Sequence, residues 1–300
     1  MFRAHFRISI FLGSCGPETH GVYLRRFSCA TPAAVLRLPL LWYIFGVLTA
    51  ITRAVSPSLG RCELSFIARQ PIDLVQAQAQ HRAYEDLLAD LGARVVSLPA
   101  EPDLPDSMFV EDPALVLDEL AVIFPLGAAS RRPEAASLAA ALRPFRKLQA
   151  ITLPGTVEGG DILRLGRKLF VGRTARSNAE GIGQLAALVA PYGYQVTGVP
   201  VGGCLHLKSA VTALDEGTLL ANRKWFDASL FTGWDWVDVD PAEPHAANAL
   251  TLSGTVVFPA SFPRTRLRIE ARGLSVASLD ISELQKAESA LTCSSLIFEA

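Results

Sequence analysis

The 300 residues carry 28 Lys and Arg against 29 Asp and Glu, and a formal net charge of −1 excludes the basic excess usual in nucleic-acid binders. Hydrophobic residues make up 50% and charged residues 19%, which describes a globular chain able to bury a sizeable core rather than a disordered one. No CxxC pair, Walker-type GxxxxGK or HExxH occurs, and five scattered cysteines (Cys15, Cys29, Cys62, Cys204, Cys293) make a poor disulfide framework, as expected of a cytoplasmic protein.

Residues 1–47 read differently from the rest. Arg3, Arg7, Arg25, Arg26 and Arg37 face a single acid, Glu18, and an apolar run begins at Leu38. Three readings are open: a short membrane anchor over 38–51, a transit-type leader, or an extension upstream of a true start near Val47. Pro39 inside the run and Arg37 and Arg53 beside it argue against a spanning helix, which wants roughly 20 apolar residues. A single domain is expected over 48–300.

From Leu48 the pattern becomes regular. Leu48 to Val55 alternates as a strand, and Ser56 to Gly60 breaks it. Leu74, Ala77, His81, Tyr84, Leu87 and Leu88 show helical spacing within 72–91, with Gly92 as C-cap and a strand over Val95–Leu98. An approximate repeat follows. Phe109-Val110-Glu111-Asp112 leads into strands at 114–117 and 120–124, then Ala129-Ser130-Arg131 and an Ala/Leu-rich helix. Val157 to Asp161 leads into strands at 162–165 and 168–171, then Ala175-Arg176-Ser177 and a helix at 182–189. Leu205-His206-Leu207-Lys208-Ser209 opens a third unit with strands at 211–214 and 219–221. Such repeats predict an α/β array whose equivalent loops face one end.

Those loops hold the candidate chemistry. Cys293 lies between Thr292 and Ser294 just before an apolar strand at 296–298. An unpaired cysteine is ordinarily a small buried hydrophobe, but these hydroxyl neighbours fit a hydrogen-bonded thiol that acts as a nucleophile beside a cation. His206 is the candidate partner, because imidazole can protonate a leaving amine and later activate water; a structural histidine is the plainer alternative. Asp106, Glu111, Asp112, Glu158 and Asp161 sit beside equivalent turns. Singly each reads as a solvated acid, and together they suit the planar donors of a guanidinium. Arg131 and Arg176 occupy matching points of two repeats and suit a carboxylate. Acids at one end and arginines at the other describe an α-amino acid with a guanidino side chain.

Six segments in order resemble the dimethylarginine dimethylaminohydrolases: Leu104 to Asp112, Ala129 to Arg132, Glu158 to Asp161, Arg176 to Asn178, Leu205 to Ser209, and Leu291 to Ser295. The resemblance covers 48–300 and implies a five-bladed α/β propeller, the pentein fold, of ββαβ-type units. By that resemblance Cys293 attacks the guanidinium carbon of an N-omega-methylated arginine to give a thiouronium, with citrulline and a methylamine as products. His206 then serves as acid and base, and Glu158 orients it. Asp106, Glu111 and Asp112 bind or frame the guanidinium, and Arg131 and Arg176 hold the carboxylate. Leu64 corresponds to a mobile lid, and Ala287 and Glu288 to contacts with the α-amine and guanidine. Glu288 stands where mammalian members have Asp, and Ser294 where some relatives have a second cysteine. No metal or cofactor is implied, the partner is a small molecule, and a monomer or homodimer is expected. A deiminase acting on free arginine and a catalytically silent binding protein are the rivals; the retained Cys293, His206 and Glu158 argue against the second.

Overall fold

A computed structural model describes residues 46–300; the leader and most of the apolar run, residues 1–45, lie outside the described residues. The end of that run is a strand, β1 (Leu48–Arg53), followed by α1 (Leu74–Asp90) and β2 (Arg94–Leu98). Asp73 caps α1 by accepting the Gln76 N–H at 3.0 Å, and Gly92, with φ +93°, ends it as expected. Among the described residues no helix is long and apolar enough to cross a membrane.

The next units repeat one pattern. β3 (Ala114–Val116) and β4 (Leu120–Ile123) pair antiparallel, α2 (Glu134–Leu142) crosses over, and β5 (Lys147–Ala150) returns parallel to β4. β6 (Ile162–Leu165), β7 (Lys168–Arg173), α3 (Ala179–Val189) and β8 (Gln195–Pro200) do the same. In the third unit β9 (Val211–Ala213), β10 (Thr218–Ala221) and β11 (Asp235–Asp238) keep the strand pattern, but a single 3-10 turn at Ala228–Leu230 replaces the helix. β12 (Leu250–Leu252), β13 (Thr255–Pro259), α4 (Pro263–Glu270) and β14 (Ser275–Leu279) form a fourth unit, which sequence spacing did not separate from the loops. The fifth sheet comes from both ends of the described chain. After α5 (Ser282–Gln285), β15 (Leu296–Glu299) pairs antiparallel with β1, and β2 lies parallel on its other side.

Five three-stranded sheets result, and apolar clusters join them in sequence. Ile51 and Leu296 share a core with Ala114 and Ala121, and Val122 and Phe124 share the next with Ile162 and Val171. Phe170 meets Val211 and Leu219, Leu220 meets Val256 and Phe258, and Val257 with Leu279 closes back onto Ala50. The sheets thus form a closed ring in which each sheet shares an apolar cluster with the next. The loops entering β3, β6, β9 and β15 converge at one end of that ring, carrying Glu111, Glu158, His206 and Cys293 with them.

Candidate active site

Asp112, Arg131, Arg176, His206 and Cys293 line one small cavity with Asp106, Ala287 and Glu288, although the sequence disperses them over most of its length. Of the other candidates, Glu158 lies fully buried behind His206, and Glu111 sits beneath Cys293, whose carbonyl accepts its N–H at 3.2 Å. Leu64 is absent from the wall and packs against the core cluster of α1; its neighbour Glu63 takes the wall position.

Local chain geometry explains the arrangement. Cys293 sits in a 3-10 turn, Thr292–Ser294, whose entry is fixed by Asn248: its Oδ1 accepts the N–H groups of Leu291 at 3.0 Å and Thr292 at 3.2 Å. The thiol lies 3.2 Å from the Ser289 hydroxyl, and the Ala290 N–H donates to Sγ at 3.3 Å. Burial pushes the thiol up to about 11, with the charges of Asp112 and Glu111 adding to it and the Ser289 bond opposing. A neutral resting thiol results at ordinary pH.

His206 opens the 3-10 turn Leu207–Ser209 and places Nε2 2.8 Å from the Glu158 carboxylate. Glycine is required behind it: a Cβ on Gly160 would lie 2.5 Å from Nδ1. Burial works against a charged ring, but Asp112, Asp161 and the Glu158 bond outweigh it and hold the imidazole above its usual range, so it keeps its proton at neutral pH. Glu158 is opposed by burial and held below the usual carboxylate range by His206, Arg131 and Arg176.

Around this pair the charges are mutually satisfied. Arg131 spans Glu134 with two bonds, at 3.1 and 3.0 Å, and reaches Asp112 at 2.9 Å. Arg176 donates to Glu158 at 3.3 Å and to the Ser65 hydroxyl at 3.2 Å. Glu111 binds the Lys208 ammonium and accepts the Thr292 hydroxyl at 2.9 Å. Asp161 ties the Arg176 and His206 loops together by accepting Thr174 at 2.7 Å, Ser177 at 2.6 Å and the Leu207 N–H at 3.0 Å. Asp112, Glu158 and His206 bring ligand-type atoms within 4.8 Å of one another, but the two carboxylates are already paired with Arg131 and Arg176.

Sequence reasoning missed Glu134, Ser289 and Asn248. Glu134 carried a signal, since three residues along a helical turn put it beside Arg131. Ser289 and Asn248 carried none, because only the folded turn brings them to Cys293. The carboxylate of Glu288 bonds to the N–H groups of Ser65 and Ile67 instead of being left free for a ligand.

No protein-family model matches the chain. The N(G),N(G)-dimethylarginine dimethylaminohydrolase of Pseudomonas aeruginosa is 35% identical over 228 residues, which covers 75% of this chain and 90% of that one. The protein of the same name from Streptomyces coelicolor is 36% identical over 250 residues, covering 82% and 95%. The solved structure of a cysteine-to-serine variant of the Pseudomonas aeruginosa enzyme complexed with citrulline matches with a TM-score of 0.80 and 33% identity, over 85% of this chain and 100% of that one. The ring of repeated small sheets is therefore the pentein fold, and the chain belongs to the dimethylarginine dimethylaminohydrolases, hydrolases that act on the carbon–nitrogen bonds of linear amidines.

Proposed function

We propose that the chain hydrolyses an N-omega-methylated arginine to citrulline and a methylamine, with Cys293 as nucleophile. One observation carries the reading: a cysteine thiol and a histidine held by a buried glutamate line the same cavity as two arginines and two aspartates. In this reading Asp106, Glu111 and Asp112 bind or frame the guanidinium, and Arg131 and Arg176 face the substrate carboxylate. Ala287 supports the α-amine through its backbone.

In this reading the charges around the cavity support the following order of events. A docked guanidinium offsets the negative charges that hold the Cys293 thiol up, and its proton is lost to solvent. Sγ then attacks the guanidinium carbon. His206, already protonated, donates from the nitrogen not held by Glu158 to the methylated nitrogen, which leaves as the amine. An S-alkylthiouronium remains on Cys293. The neutral His206 next takes a proton from water, whose oxygen attacks the same carbon; collapse expels the Cys293 sulfur, the remaining hydroxyl proton passes to that sulfur or to solvent, and citrulline is left.

Citrulline release from asymmetric dimethylarginine, run beside free arginine on the full chain, tests the substrate. Release mainly from the methylated compound is expected; release mainly from arginine would move the activity to the deiminases. Arg176→Ala is expected to raise KM about tenfold or more with a smaller fall in kcat, because a lost carboxylate contact is uniform binding. An unchanged KM would place the carboxylate elsewhere.

A further inference from the structure

A second feature of the cavity concerns what covers it. The segment from Cys62 to Arg69 supplies Glu63 to the cavity wall, and its Phe66 stands 53% exposed. Residues of the cavity wall grip this segment at three points. The Asp106 carboxylate accepts the Glu63 N–H at 3.1 Å, and Arg176 donates to the Ser65 hydroxyl at 3.2 Å. The Glu288 carboxylate makes the third grip, accepting three successive N–H groups: Ser65 at 2.9 Å, Phe66, and Ile67 at 2.8 Å.

The backbone at Glu288 is built for this task. Its φ is +54°, a left-handed conformation that a side chain as long as glutamate rarely adopts, and it turns the carboxylate outward to the segment. Under the closed segment the cavity measures about 30 Å³, against roughly 300–1,000 Å³ for small-molecule sites. A guanidino amino acid is too large for that space, so binding requires the segment or the wall to move. Glu288 also neighbours Ser289, whose hydroxyl touches the Cys293 thiol, so one short stretch carries both the cover's anchor and a partner of the nucleophile.

We infer that Glu288 is the positioning residue that latches the 62–69 segment over the active site, rather than a ligand of the substrate. The inference rests on the cavity being the active site, as proposed above. An anionic acceptor facing three N–H groups is stronger than a neutral one, and removing it leaves those amides to water. Substrate exchange is then set by how often this carboxylate lets go.

The test is amide hydrogen exchange on the full chain without ligand, which needs no turnover and so stands apart from the assignment of the reaction. Glu288→Gly suits the left-handed backbone, and Glu288→Gln keeps the side-chain size, so the two variants perturb the fold differently. In both, the Ser65, Phe66 and Ile67 amides are expected to exchange about tenfold faster or more, with the melting temperature kept. Glu288→Asp, which keeps the carboxylate, is expected to fall between them and wild type. With a methylarginine substrate, KM is expected to rise severalfold in Glu288→Gly while kcat changes less than KM. Wild-type exchange at the three amides in folded Glu288→Gly or Glu288→Gln overturns the latch. Faster exchange with no citrulline release from the wild-type chain would leave the latch standing and overturn the reaction instead.

Discussion

Cys293→Ser is expected to lower turnover at least about 10⁴-fold while leaving the fold intact. A serine hydroxyl at this position keeps the contacts with Ser289 and Ala290 but is a far weaker nucleophile than a thiolate. The side chain lies at the cavity wall in a turn whose entry is set by Asn248, so a smaller oxygen costs little packing. Citrulline release at saturating substrate, with a thermal melt beside it, measures both halves. Activity near wild type in the folded variant would remove Cys293 from the chemistry, and a collapsed melt would assign it a structural task.

Glu158→Gln is the second large effect. The amide keeps the shape of a fully buried side chain but removes the charge that faces His206 at 2.8 Å and Arg176 at 3.3 Å. A fall of about 10³- to 10⁴-fold in kcat/KM is expected, comparable to the loss of the orienting acid of a catalytic triad. The pH dependence should change with it. In the wild type, Glu158, Asp112 and Asp161 hold the imidazole above its usual range against the opposing effect of burial. In the proposed mechanism amine expulsion needs the protonated ring, so kcat/KM is expected to fall as pH rises through that value. Removing one of the three supporting charges lowers the value, and the alkaline limb moves toward lower pH. A limb that stays in place would mean that another group supplies the proton.

The strands with paired apolar faces were readable because alternation survives burial on one side. β6 (Ile162–Leu165) lies where spacing put it, and α1 (Leu74–Asp90) is shorter than expected by one or two residues at each end. The outer strands were harder. Lys147–Ala150 is partly exposed and polar at every second position, so nothing in four residues separates it from a loop. The 3-10 turn at Ala228–Leu230 breaks the helix pattern in the third unit, and the charged helix Pro263–Glu270 shows no wide apolar face. The pairing of Leu48 with Glu299 joins distant ends of the described chain and has no local signature. The site was legible to the extent that Asp106, Asp112, Arg131, Arg176, His206 and Cys293 line one cavity. The partners were not. Whether Arg131 meets a ligand or Glu134, or Glu288 a ligand or a backbone, depends on side-chain direction, which spacing alone does not carry.

The ring is cut inside one sheet, and this orders events during synthesis. β15 follows the other strands in chain order, and Cys293 lies three positions before it. Ribosomes add roughly 5–20 residues per second, so β1 waits many seconds for its antiparallel neighbour. Four sheets can pair their own strands during that time, and the carboxylates and arginines of the mouth can already be grouped. The thiol arrives with the strand that shuts the circle. With Cys293 as the proposed nucleophile, a nascent chain lacks its reactive thiol until the strand that closes the ring has been made.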